Sequence, residues 1–187
     1  NERVLHGGHF YGGHIAMAMD MLKTAVANIA DLLDRQMAQL MDYKFNNGLP
    51  FNLTGATGAR KPINHGFKAV QIGISAWTAE ALKGTMPASV FSRSTECHNQ
   101  DKVSMGTIAS RDCLRVLQLT DQVTSASLLA ATQALVLRER QGELSDDELS
   151  VELKTMRDAV LSEFTFVDED RPLEQDLRNF INKIQQQ

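Results

Sequence analysis

Three stretches of this sequence are too polar and too rich in glycine to be explained by packing alone. One of them, Thr95–Asp101, reads TECHNQD and stands just before a long apolar run. A helix needs only one side chain of the kind Asp101 or Ser104 offers to cap its start. A run that holds Glu96, His98, Asn99 and Gln100 together has hydrogen-bonding capacity beyond a cap. Such groups at the mouth of a bundle are what a pocket for a polar substrate requires. A carboxylate such as Glu96 can also hold or relay a proton.

The second stretch, His6–His14, is HGGHFYGGH. Its four glycines let backbone approach a ligand or another chain closely. Its three histidines invite a metal, but a zinc site wants a further ligand at a recognisable spacing, and no Cys or carboxylate is near. No metal is assigned. The plainer reading is a turn into a helix whose free N–H groups could meet an anion; the pattern is neither a P-loop nor a dinucleotide fingerprint. The third stretch, FNNGLPFNL at 45–53, reads as a helix stop and turn. Cys97 adjoins His98, but that neighbour pair alone does not make a nucleophile, and Cys97 and Cys113 are read as structural or incidental thiols.

The elements that must position these stretches are helical. Residues 14–41 place Ile15, Met19, Leu22, Val26, Ile29, Leu33, Met37 and Leu40 at spacings of three and four, opposite Asp20, Lys23, Asp31 and Asp34. The expectation is that the apolar set is buried. A second helix is expected over 66–83 on Phe67, Val70, Ile74, Trp77 and Leu82, closed by Gly84 and Pro87. Residues 107–140 hold neither Gly nor Pro and would span roughly 50 Å as one helix. Within them, Ala126–Leu137 (ASLLAATQALVL) is apolar almost all round, which predicts burial on every side. One companion helix cannot supply that, so a bundle completed by other sequence or by partner subunits is expected. On that reading an aspartate at Leu129 would put a charge in a subunit interface. Two shorter helices are expected at about 146–163, starting near Asp146, and 172–185, starting at Pro172, before a frayed glutamine tail. No strand is expected.

Composition narrows the classes. The chain has 187 residues, 43% of them hydrophobic, and a net charge of −4, which gives no footprint for nucleic acid or an anionic membrane. The acidic excess sits in 142–170 and reads as a solvated helix face. No apolar run approaches the ~20 residues of a membrane span. Two cysteines fit a reducing cytosol. The chain opens on a glycine-rich loop that needs surroundings to order it, so it is expected to be a C-terminal segment of something longer.

Taken in order and at these separations, HGGHFYG, NNGLPFNL and TECHNQDKVSMGTIASR resemble the C-terminal part of the aromatic amino-acid ammonia-lyases. That family comprises the histidine, phenylalanine and tyrosine ammonia-lyases and related aminomutases. The resemblance runs from about residue 3 to 140. It implies an all-α, long-helix bundle of the fumarase/aspartase-like kind with an oligomeric core. Residues 1–140 would form the central bundle and active-site loops, and 141–187 peripheral helices. It also implies a homotetramer, with the missing N-terminal part and identical subunits as partners, no nucleic acid or membrane partner, and a cytoplasmic location.

The electrophile implied is 4-methylideneimidazole-5-one (MIO), formed from an internal Ala-Ser-Gly. That tripeptide is not here: Ala109-Ser110 precedes Arg111, and Ala126-Ser127 precedes Leu128. The family's catalytic tyrosines and carboxylate-binding arginine lie upstream, so this piece alone is expected to be inactive. Carried over by motif, Phe10 should lie against the prosthetic group. Asn99 and Gln100 should stand near it and the substrate, and Glu96 near the substrate amino group. His9 replaces the usual Asn of Gly-Gly-Asn-Phe and should alter the hydrogen bonding beside Phe10.

The histidine lyases carry Glu where this chain has Gln100. A carboxylate suits a protonatable imidazole, while a neutral amide avoids burying an unpaired charge beside an apolar ring. Phenylalanine or tyrosine is therefore favoured as substrate, without separating the two. The alternatives are a histidine ammonia-lyase, an aromatic aminomutase, or a non-catalytic helical interaction module lacking the electrophile.

Overall fold

The computed structural model describes residues 2–7 and 9–185, and of His9 the backbone only. Five α-helices carry the fold: α1 (Gly13–Met41), α2 (Lys68–Lys83), α3 (Gly106–Arg140), α4 (Val151–Leu161) and α5 (Glu174–Gln185). Short 3-10 turns fill the connections, and no strand occurs among the described residues beyond one isolated bridge between Thr95 and Gln100. The fold class expected from the sequence, all-α with two very long helices, is the one observed. At 1.5 Å per residue the 35 residues of α3 span about 52 Å. No helix among the described residues is long and apolar enough to cross a membrane.

α1 runs along α3, and α2 packs on both. The expected burial of α1 is overturned over much of its length. Ile15, Leu22 and Ile29 are exposed, while Asp20, Lys23 and Asp34 are buried; only Val26 and Met37 of the expected set are fully buried. The buried stripe is instead Ala16, Asp20, Lys23, Ala27, Ala30, Asp34, Met37 and Met41. Its alanines let α3 approach closely, since the distance between packed helices follows the side chains at the contact. Its charges are paired: Asp34 accepts from Ser75 Oγ at 2.7 Å, and Asp20 and Lys23 bond each other. Hydrophobic periodicity alone could not separate two stripes that both repeat at three and four.

The second correction concerns Ala126–Leu137. Ala126, Leu129, Ala130, Thr132, Gln133, Ala134 and Leu137 are buried by this chain alone, and only Ala131 is exposed. Leu129, 2% exposed, belongs to the chain's own core, not to a subunit interface. That face is covered by α1 and α2 and by Val160, Phe164, Val167 and Phe180 further along the chain, while Ser127, Leu128, Leu135 and Val136 on the rest of the helix are only half-buried by this chain. Gln133 is fully buried and satisfied. Its Nε2 donates to the carbonyls of Leu53 and Val167, and its Oε1 accepts from Val167 N.

Smaller shifts occur at the ends. A capping box of Ser145 and Glu148 starts a 3-10 turn at Asp146, but α4 begins only at Val151, capped by Ser150. α5 starts two residues after Pro172. Gln186 and Gln187 of the glutamine tail lie outside the described residues.

Candidate functional site

The connection from α2 to α3 carries the TECHNQD loop, and its backbone is unusual. Glu96, Cys97 and His98 have φ of 53, 52 and 72°, three successive left-handed residues with side chains. Each such residue costs on the order of 1 kcal/mol and persists only where its surroundings impose it. Here the two ends are pinned: Thr95 N donates to Gln100 O at 2.8 Å, and Gln100 N to Thr95 O at 3.3 Å. Within the loop, Asn99 Nδ2 donates to Glu96 Oε2 at 3.1 Å. Ser94 Oγ and His98 Nδ1 lie 2.8 Å apart. The result is a tight projection whose side chains are all exposed.

Beside it opens a groove of about 580 Å³, lined by Phe10, Tyr11 and the segment Asn99–Ile108. Phe10 and Asn99–Gln100, far apart in sequence, are thereby brought to one place. The close approach of the two helix starts makes this possible. A Cβ on Gly106 would stand 3.5 Å from Gly12 O and 3.4 Å from Ser104 Oγ. Neither expected residue is the cap of α3: the N-cap is Met105, with no side-chain capping bond, and Ser104 Oγ just before it accepts from Gly106 N at 3.2 Å. Met105, in the left-handed conformation, makes the entry. Neither α1 nor α3 has an acidic residue in its first turn. Asp101 and Lys102, of opposite charge, both line the groove.

Among the expected residues, Phe10 (91% exposed), Asn99 and Gln100 share the groove. Glu96 is off its lining but joined to it through Asn99. The His9 side chain lies outside the described part. FNNGLPFNL is at the far end of α1, whose 29 residues span about 43 Å. It serves packing there: Asn46 Nδ2 donates to Leu40 O, and Arg138 donates to Asn46 O. Sequence reasoning missed Tyr11, Lys102, Met105 and Ile108 as groove residues. The helix-start position of the last two was the signal available. Cys97 is exposed and Cys113 buried, and both are free thiols.

Residues 1–161 match the family model described as aromatic amino acid lyase. The chain is 38% identical over 184 residues to the tyrosine ammonia-lyase of Cereibacter sphaeroides, covering 98% of this chain and 34% of that protein. It is 31% identical to histidine ammonia-lyase 1 of Fusobacterium nucleatum, covering 92% and 32%. The solved tyrosine aminomutase from Streptomyces globisporus superposes with a TM-score of 0.89 at 29% identity, over 100% of this chain and 34% of that one. Histidine ammonia-lyase from Trypanosoma cruzi gives 0.88 at 26% identity, over 99% and 34%. The chain thus spans about a third of the length of the relatives it matches.

Proposed function

The chain belongs to the aromatic amino acid lyase family, and on that premise we propose that it forms one wall of an ammonia-lyase active site within a longer protein. The reaction proposed is elimination from an L-aromatic amino acid. The Cα–N bond breaks, a β-proton is removed, and an arylacrylate and ammonia leave. The observation that carries this reading is the groove where Phe10 meets Asn99 and Gln100. No residue of this chain is assigned as the base.

The groove's chemistry fits the family's prosthetic group, MIO. An exposed aromatic ring and two neutral amides suit an uncharged conjugated ring, on a lining where Asp101 and Lys102 carry opposite charges. Phe10 would lie against it, and Asn99 and Gln100 would hold it or the substrate by hydrogen bonds. When bound, the group supplies an electrophile that makes the amine a better leaving group. Its Ala-Ser-Gly source is not in this chain, so these residues by themselves are proposed to be inactive. Glu96, held by Asn99, would receive the substrate ammonium. His9 is proposed only as a neighbour of Phe10.

A neutral aromatic substrate, phenylalanine or tyrosine, is favoured by Gln100, whose amide leaves no buried charge unpaired. The relatives include both tyrosine and histidine lyases and an aminomutase structure, so the aminomutase is the second reading. Assembly with identical subunits is part of the proposal. It is supported by Ile15, Ala18, Leu22, Ala25, Ile29 and Leu32, an apolar stripe at spacings of three and four that is exposed on α1. Two free thiols support a cytoplasmic location. The test is to incubate the whole protein with L-phenylalanine, L-tyrosine and L-histidine and identify the products. Cinnamate or coumarate supports the lyase, a β-amino acid resolved by chiral chromatography supports the mutase, and formation of neither product refutes both.

A further inference from the structure

The segment that enters the TECHNQD loop is held by charges buried inside the bundle. Lys23 sits on the face of α1 turned toward α3 and has no exposed surface. Its Nζ donates to the Met86 carbonyl at 2.6 Å. The same nitrogen lies 2.9 Å from Asp20 Oδ1 and 3.5 Å from Asp112 Oδ2 on α3. Asp20 in turn accepts from Ala88 N at 3.0 Å through Oδ1 and from Ser89 N at 3.1 Å through Oδ2. The bonds to Met86 O, Ala88 N and Ser89 N are all to backbone, so the pair grips the path of the chain. Three residues on, Ser92 Oγ accepts from Val103 N at 3.0 Å and ties the two legs of the loop together. Between those legs stand Asn99 and Gln100.

Stability alone does not account for this arrangement. Replacing a buried ion pair by apolar residues of similar volume is often neutral or stabilising, because the pair must recover its desolvation. What the charges supply is a fixed backbone position, reached by three short bonds from a rigid helix. The opposite ends of the same bonds come close to the groove in space. Ser89 itself lines the hollow next to it, together with Tyr11, Lys102 and Ser104.

We propose that Asp20 and Lys23 are positioning residues, fixing residues 86–89 against α1 and thereby setting where Asn99 and Gln100 stand in the groove. The proposal rests on the assignment of that groove to an ammonia-lyase site. Holding groups within tenths of an ångström matters there, since a misplacement of about 1 Å can cost about a hundredfold in rate.

The test uses the whole protein with Asp20→Asn, which keeps one oxygen acceptor and removes the charge facing Lys23. The kcat per folded molecule is expected to fall between about ten- and a hundredfold, with KM changing far less. Hydrogen exchange at residues 86–104 should quicken while α1 and α3 keep their protection. Ser92→Ala, which leaves the buried charges untouched, should show the same pattern more weakly. Unchanged kcat in folded Asp20→Asn overturns the proposal, as does exchange that quickens evenly through α1 and α3. If Asp20→Asn does not fold, unchanged kcat in Ser92→Ala overturns it. If the parent protein forms neither an arylacrylate nor a β-amino acid, the functional reading fails separately, and the exchange pattern alone decides whether the clamp holds the loop.

Discussion

Gln100 is the residue on which the proposed substrate choice turns. Its side chain lies near Thr95 Oγ1, 3.5 Å away, and its backbone pairs with Thr95 in both directions. The exposed side chain is therefore carried by a pinned backbone. A carboxylate of similar size in that position would favour a cationic or protonatable ring and penalise an apolar one. In the whole protein Gln100→Glu is expected to shift the ratio of kcat/KM for L-histidine over L-phenylalanine upward by about tenfold, or ~1.4 kcal/mol. Steady-state rates on both substrates check it. An unmoved ratio would mean that Gln100 does not see the ring. The polarity of 95–101 made this residue visible in the sequence. The left-handed turn that aims it was not visible, because Glu96, Cys97 and His98 carry no glycine to signal a positive φ.

At the scale of elements, α1 carries its charges inward, and that has a consequence in acid. Burial, the largest single influence on Asp20, pushes its carboxyl up. The hydrogen bonds from Lys23, Ala88 and Ser89 together outweigh it and bring the pKa from 3.8 down to about 2. A group depressed on folding stabilises the fold above its ordinary value and loses that contribution as pH falls through the folded one. Asp20 is thus worth on the order of 2 kcal/mol at neutral pH, lost between about pH 4 and pH 2. Urea unfolding of Asp20→Asn should show that deficit near pH 6 and a deficit shrinking toward zero at pH 2. A deficit independent of pH would remove the charge from the explanation. The lengths and ends of α1, α2 and α3 were legible from periodicity and from Gly48, Pro50, Gly84 and Pro87. The facing of α1 was not. Ile15, Leu22 and Ile29 match a buried pattern as well as Ala16, Ala27 and Ala30 do, and only the partners of Asp20 and Lys23, distant in sequence, decide between them. The same holds for Gln133, whose partners Leu53 and Val167 come from two separate loops.

For the whole molecule, the apolar stripe left outside on α1 bears on assembly. Ile29 is 54% exposed and outside the core, unlike Leu129, so a charge there tests association without emptying the interior. Ile29→Lys in the whole protein is expected to lower the oligomeric state seen by light scattering while leaving the helical circular dichroism intact. An unchanged mass would show that this stripe is not where subunits meet. The larger claim is that this chain is a wall of a site for eliminating ammonia from a neutral aromatic amino acid. The most direct measurement is the initial rate of ammonia release by the whole protein from L-phenylalanine, L-tyrosine and L-histidine at equal concentration, with the organic product identified. Release from phenylalanine or tyrosine, with cinnamate or coumarate as product, is expected to be faster than from histidine. Faster release from histidine, with urocanate as product, would contradict the substrate assignment, and neither an arylacrylate nor a β-amino acid from any of the three would contradict the site itself.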